Sequence, residues 1–345
     1  MNFGAIISKH RKPVMGLAAL MIVCFHAYWE PGFLPWRLLI NRYGNAGVDI
    51  FVFLSGFGLA HALEKKPSLG QYYARRLERI LPAYYVMITF KLLVYLLLGR
   101  LTLDWFLKSY IPIGVWGMAT AQYWYVSASL GYYLMVPLLF HLFKRIRFPR
   151  ITLAGLLIVT GIFIPIICKL DSKTVMRVPA LIIGVAMGVF QTDHTSKKDR
   201  WIDFFIIFAC FVLGGLIYKK SSLLELPILN LIRHGHPTRL WKDLTAPFVV
   251  IAAAYTFELL ERLPLRFVNR IFESCGRYSL EIYLSHIMIR AFVQTLLDLP
   301  KYGDLIVMLI FCYPVAVIVS KSGDLLLSQL KKLPLFKPTA SSTGL

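Results

Sequence analysis

Apolar residues along the 345-residue chain gather into runs of membrane length, separated by short basic or polar connections. Runs near residues 14–29, 46–62, 80–99, 122–143, 151–168, 176–191, 201–218, 244–260, 278–298 and 304–320 are each long enough, or nearly so, to cross a hydrocarbon layer of about 30 Å as a helix. The pattern predicts an all-α polytopic membrane protein, a bundle of about ten transmembrane helices. If the N-terminus is cytoplasmic, the clusters Lys65/Lys66/Arg75/Arg76, Lys144/Arg145/Arg147/Arg150, Lys197/Lys198/Arg200, Arg262/Arg266/Arg270 and Lys331/Lys332 all fall on that side. The opposite connections carry fewer basic residues, so the positive-inside rule predicts both termini cytoplasmic. Residues 218–243 dissent, placing Lys219, Lys220, Arg233, Arg239 and Lys242 outside; as the longest connection, the segment is a candidate for ligand contact. Residues 101–121, with Trp105, Trp116 and several glycines, read as interfacial or re-entrant. Residues 333–345, rich in Pro, Ser and Thr, read as an unstructured tail, leaving residues 1–332 as one integral-membrane domain without an internal repeat.

Composition agrees with the pattern: 57% hydrophobic, 14% aromatic and 16% charged residues describe a chain solvated mostly by lipid. A formal charge of +20 on a soluble protein would suggest nucleic acid. Here the cations sit between apolar runs, where they orient helices and meet anionic headgroups. Cys24, Cys168, Cys210, Cys275 and Cys312 lie singly in apolar segments without CxxC spacing, so neither a metal site nor a disulfide framework is expected. The first apolar run has no A-x-A cleavage site and many spans follow it, so it reads as retained.

Candidate chemistry begins with His26, about 20 Å of helix beyond Lys9, Arg11 and Lys12 and therefore intramembrane. Such a histidine either belongs to a functional site or is a core side chain hydrogen-bonded to a neighbouring helix. Asp49 opens the second run at similar depth, where its carboxylate can orient an imidazole or simply complement the helix dipole; Ser55 follows among small residues. Arg76 and Arg79, three apart on one helical face, can grip a polyphosphate or serve as topology anchors. His286 lies about 14 Å past Arg277, near the midplane, with Glu281 five residues before it.

The ordered motifs MGLAAL with His26 downstream, GVDIFVFLSGF, RRLERILPAY, WYVS and RYSLEIYLSH resemble the integral-membrane acyltransferase-3 family, whose bacterial members O-acylate sugars of surface polysaccharides. The resemblance covers most of the chain. It implies a helical bundle in a cell membrane, the bacterial plasma membrane, that takes acyl-CoA, usually acetyl-CoA, from the cytoplasm and acylates a glycan or lipid-linked sugar presented toward the other side. By position, His26 matches the essential first-helix histidine, Asp49 and Ser55 the second-helix motif, and Arg76 and Arg79 the paired arginines. Two positions depart: Met15 stands where many members have arginine, and Ser129 where many have glutamate. The implied reaction needs a base, for which His26 is the candidate with Asp49 stabilising its imidazolium, and a phosphate anchor, for which Arg76 and Arg79 are candidates. Trp124, Tyr283 and His286 are expected to line the substrate pocket, and 218–243 to meet the acceptor. No metal cofactor is implied. Intramembrane His, Asp and Glu would also suit a transporter or flippase for a glycan or lipid, but the paired repeats of such carriers are not found.

Overall fold

The computed structural model describes residues 3–27, 44–112, 123–160, 174, 177–193, 201–202, 205, 208–209, 212, 245–296 and 303–333, the side chains of 105, 108, 192–193 and 294–296 excepted. Among them the regular structure is helical: α1 (Phe3–His26), α2 (Ala46–Glu64), α3 (Leu69–Leu97), α4 (Leu103–Tyr110), α5 (Trp124–Arg145), α6 (Pro149–Ile158), α7 (Val178–Asp193), α8 (Ala246–Arg262), α9 (Arg266–Arg277), α10 (Ser279–Leu296) and α11 (Gly303–Leu330). Each predicted apolar run has a helix, except that of 201–218 only 201, 202, 205, 208, 209 and 212 are among the described residues, all of them helical. The connection 218–243 and the tail from 334 lie outside them too. Four described helices, α2, α3, α5 and α11, are long and apolar enough to cross a membrane. Large apolar side chains such as Leu138, Ile306, Ile310 and Ile318 are exposed on the bundle's outside, as a lipid-solvated surface requires.

Local chemistry sets the helix ends. Ser68 caps α3 with a reciprocal box: its hydroxyl accepts from the Gln71 amide at 3.2 Å, and the Gln71 side chain accepts from the Ser68 amide at 3.4 Å. At the other end Gly99 takes φ +63°, and the Gly99 and Arg100 amides bond back to the Leu96 and Tyr95 carbonyls, a Schellman closure that turns Arg100 back over the helix end. Inside α1, Pro13 has no N–H and crowds the Lys9 carbonyl, and the helix bends at His10 (φ −100°, ψ 15°). The short α4 has eight residues, too few to span, and is held to α3 by the Tyr84 hydroxyl donating to the Ser109 carbonyl. This agrees with the non-spanning reading of its first half; 113–122 lie outside the described residues.

α1 is the hub of the bundle, packing on α2, α8, α9 and α10, and glycines allow the two closest crossings. Between α2 and α7, a Cβ on Gly184 would lie 2.2 Å from the Phe53 carbonyl oxygen and one on Gly56 2.7 Å from that of Leu181. Between α1 and α9, a Cβ on Gly16 would meet the Phe272 oxygen at 1.9 Å, and one on Gly276 the Lys12 oxygen at 1.9 Å. The obstacle in each case is backbone, which cannot step aside. Gly184→Val is therefore expected to cost at least about 1–3 kcal/mol, seen as a lowered unfolding temperature in detergent, whereas Gly155→Ala, in open space, should leave it unchanged.

Ion pairs collect the basic helix ends at one end of the bundle. Lys144 at the end of α5 meets Glu64 at the end of α2 (2.6 Å), Lys331 after α11 meets Glu78 early in α3 (2.8 Å), and Lys12 of α1 meets Glu273 of α9 (3.5 Å). These pairs tie together, among the described residues, helix ends that the charge pattern assigns to one side; Lys197, Lys198 and Arg200 lie outside the described residues.

Candidate active site

Ten residues separate Gly16 from His26 on α1, and ten separate Gly276 from His286 along α9 and α10. Because the two glycines touch, equal climbs of about 15 Å bring the histidines to one level. Their rings lie 4.8 Å apart, centroid to centroid. Each imidazole is anchored by its own helix: the His26 Nδ1–H donates to the Ile22 carbonyl at 3.0 Å and the His286 Nδ1–H to the Tyr283 carbonyl at 2.6 Å. A carbonyl only accepts, so in the neutral rings Nδ1 carries the proton and Nε2 keeps a lone pair. The His286 Nε2 is buried and has no partner among the described residues. Arg290, one turn further along α10, is close enough to act electrostatically on both rings, and its own Nε is buried and unpartnered among the described residues.

From the basic end a pocket of about 330 Å³ leads toward this pair. Arg11, Lys12, Arg76, Arg79 and Arg277 surround it, no acidic side chain is among its described lining residues, and its inner wall is Phe51, Ser55, Tyr125, Tyr133 and Tyr283. The Arg11 and Arg76 Nε atoms are buried without partners in the described structure, and the two guanidinium groups are near enough to repel one another. Gly58 makes room for Arg11: a Cβ there would sit 2.4 Å from the Arg11 Cζ. Clustered guanidinium groups of one sign, with unused donors, suit an anion of several charges. Tyr283 joins pocket and histidines, its ring 5.2 Å from that of Tyr125 and 5.5 Å from that of His286. The Ser129 hydroxyl donates to the Tyr125 carbonyl at 2.7 Å, and Ser55 lines the pocket beside Tyr125.

Two expected roles are reassigned. Asp49 was expected to orient the His26 imidazole and stabilise its imidazolium, but the hydrogen bond that orients the ring goes to the Ile22 carbonyl, one turn earlier on the same helix. The Asp49 carboxylate instead lies 2.9 Å from Arg177 Nε, both side chains buried. Arg177 further donates to the Asn45 side chain at 3.0 Å and lies 4.7 Å above the Trp124 ring, so Trp124 packs under this ion pair. Arg79, expected to grip phosphate beside Arg76, lines the pocket but is bound by Glu281 at 2.5 and 3.2 Å. That contact gives the intramembrane Glu281 its partner. Sequence reading missed Arg11, Arg177 and Arg290. Arg11 carried a signal, since it precedes Met15 by four residues and so shares its helical face; Arg177 sat at the start of one run and Arg290 inside another, with no motif to mark them.

A cluster of possible metal ligands forms elsewhere, where His10, Glu258 and Glu261 bring their ligand atoms within 4.8 Å of one another. The cation there is Lys9, whose ammonium lies 2.6 Å from Glu258 and 2.8 Å from Glu261. These bonds raise the Lys9 pKa, Glu258 first and then Glu261, and the Lys9 bond is the main cause holding the Glu261 carboxyl below its ordinary range.

Residues 16–321 match the family described as an acyltransferase domain. A protein of Acidianus two-tailed virus, provisionally named an acetyltransferase, is 38% identical over 79 residues, a stretch that spans 23% of this chain and 23% of the viral protein. No solved structure matches the chain.

Proposed function

The chain belongs to this acyltransferase family, and we propose that it is a membrane-embedded O-acyltransferase moving an acyl group, acetyl by default, from cytoplasmic acyl-CoA to a hydroxyl of a cell-surface or exopolysaccharide sugar. The observation that carries this reading is the joining, through Tyr283, of a pocket ringed by cations to two imidazoles with available Nε2 atoms. The phosphates of CoA would bind Arg11, Arg76, Lys12 and Arg277 at the mouth, and the pantetheine arm would pass Ser55, Tyr125 and Tyr283 to set the thioester at the histidines. Arg11 lines the pocket together with Met15, so a cation one turn earlier supplies what position 15 lacks. The basic end is the cytoplasmic face, residues 1–332 form one domain of about ten spans with both termini cytoplasmic, and the membrane is the bacterial plasma membrane.

Acyl transfer then runs as follows. Nε2 of His26 takes the acceptor hydroxyl proton as the oxygen forms its bond to the thioester carbonyl carbon, and the carbonyl electrons move onto oxygen. Arg290 supplies positive charge for that oxyanion. The oxyanion collapses, the carbon–sulfur bond breaks, and the His26 imidazolium returns the proton to the CoA thiolate. His286 packs against His26 and limits where its ring can turn, while the Asp49–Arg177 pair, with Trp124 packed beneath the guanidinium, ties α2 to the start of α7.

Membranes containing the protein are expected to transfer label from radiolabelled acetyl-CoA to a capsular or cell-wall glycan fraction, with release by mild alkali marking an ester. No transfer to any glycan fraction by folded protein, or alkali-resistant label, would overturn the reading. Cysteine labelling tests the topology: positions 65 and 331 should react from the same, cytoplasmic side, and position 221 from the other.

A further inference from the structure

Glu258 and Glu261, three apart on α8, share one helical face and reach a single side chain of α1, the imidazole of His10. His10 Nε2 lies 2.9 Å from Glu258 and Nδ1 3.8 Å from Glu261, and the ring is 1% exposed at the bend of α1. One carboxylate would suffice to hold a buried imidazole; here two converge on it, with ligand atoms all within 4.8 Å of one another. Lys9, at 2.6 and 2.8 Å from the two carboxylates, is 51% exposed. Its ammonium can therefore swing into water without becoming a buried charge.

Asn269 of α9 brings a further donor atom to the same corner. It is 6% exposed, and its Nδ2 donates to the Phe257 carbonyl at 2.8 Å, in the turn of α8 that carries Glu258 and Glu261. The Glu261 carboxyl, held low chiefly by Lys9, also feels the Asn269 side chain. Yet Asn269 Oδ1 is buried and has no hydrogen-bond partner among the described residues. An acceptor left in that state is costly, and a cation in the cluster would satisfy it.

An imidazole nitrogen, two carboxylates and an amide oxygen make a mixed nitrogen and oxygen set. Mg²⁺ and Ca²⁺ take oxygen-only sets, whereas Zn²⁺ and its neighbour Co²⁺ combine imidazole with carboxylate. Ligand atoms on a tetrahedron around zinc are roughly 3.4 Å apart, so the cluster has to contract by about an ångström, within the reach of two flexible glutamates. Glu258 is already oriented from behind, since Arg262 donates to its other oxygen at 3.3 Å. A cleft of about 550 Å³ lined by Lys9, Tyr255, Glu258 and Arg262 supplies the path of entry.

We propose that His10, Glu258, Glu261 and Asn269 form a site for a divalent transition-metal ion of the zinc class, which displaces the Lys9 ammonium. The ion clips α1 to α8 and α9 immediately ahead of Arg11 and Lys12, the first two cations of the anion pocket. Its binding does not rest on the acyltransferase reading.

The test titrates the tag-free full chain in detergent with Co²⁺. Wild type is expected to develop the visible absorption of a four-coordinate cobalt ion, abolished by zinc and unaffected by a large excess of Mg²⁺. Glu258→Gln and Glu261→Gln should each weaken binding by at least about tenfold, and Lys9→Ala, which removes the competing ammonium, should strengthen it by about tenfold. Zinc should also raise the unfolding temperature of wild type and not that of Glu258→Gln. Both glutamine variants keep the shape of the side chain, so they are informative where His10→Ala, which opens a buried space, is not. Absence of cobalt absorption in wild type, or binding undiminished in both glutamine variants, would overturn the proposal. Binding confined to Lys9→Ala would do the same, because the ammonium would then be the resident cation.

Discussion

His26→Ala is expected to lower the transfer rate at saturating substrates by 10²- to 10⁴-fold or more, roughly what a positioned proton acceptor contributes, while expression and acetyl-CoA binding stay near wild type. His26→Gln should be almost as inactive. A glutamine amide can still donate a hydrogen bond toward the Ile22 carbonyl, but it cannot take a hydroxyl proton at neutral pH. That contrast separates catalysis from packing, because a histidine kept only for its hydrogen bond would tolerate the amide. His286→Gln should be milder than His26→Gln. Since the rings touch, the double variant should fall by less than the product of the single losses, as for residues that act as a unit. Steady-state rates on purified protein with unchanged unfolding temperatures decide the matter. If His26→Gln kept near-wild-type transfer while His286→Gln lost it, the base would be the Nε2 of His286; if both kept it, the pair would be structural.

The histidines also show how far sequence alone could reach. Each was placed intramembrane by counting from a basic landmark, because helix rise is constant and the apolar runs are long. That they meet depends on a crossing of two glycines 260 residues apart, Gly16 and Gly276, which periodicity within one helix cannot reveal. The motif resemblance extended further than the periodicity did: it picked out the pocket residues Ser55, Arg76 and Arg79, and the family match over residues 16–321 agrees with it. Pairing between helices was the hidden part. Asp49 and Arg79 both looked available in sequence, since the partners that hold them, Arg177 and Glu281, lie 128 and 202 positions away.

Because Arg79 is held by Glu281 and the Arg76 Nε has no partner among the described residues, the two arginines are expected to fail differently. Arg76→Ala removes a guanidinium whose Nε has no described protein partner, so folding should be unaffected and the apparent KM for acetyl-CoA should rise about 10- to 100-fold, with the acceptor KM unchanged. Arg76→Lys should rescue only part, a point charge replacing a fork. Arg79→Ala instead strands Glu281, whose side chain is 2% exposed. Breaking a fully buried pair costs about 3–5 kcal/mol; with Arg79 itself 45% exposed and partly solvated, the loss here should be smaller but still visible as a lower unfolding temperature. Adding Glu281→Gln to Arg79→Ala should recover part of that temperature, since the stranded charge is gone. Gly58→Ala supplies an independent check on the pocket: its new methyl would displace the Arg11 guanidinium, a flexible group able to swing aside, so donor KM should rise in a protein that still folds. A donor KM that stayed constant in Arg76→Ala and Gly58→Ala, both folded, would return these cations to the role of membrane anchors and leave the pocket without its phosphate.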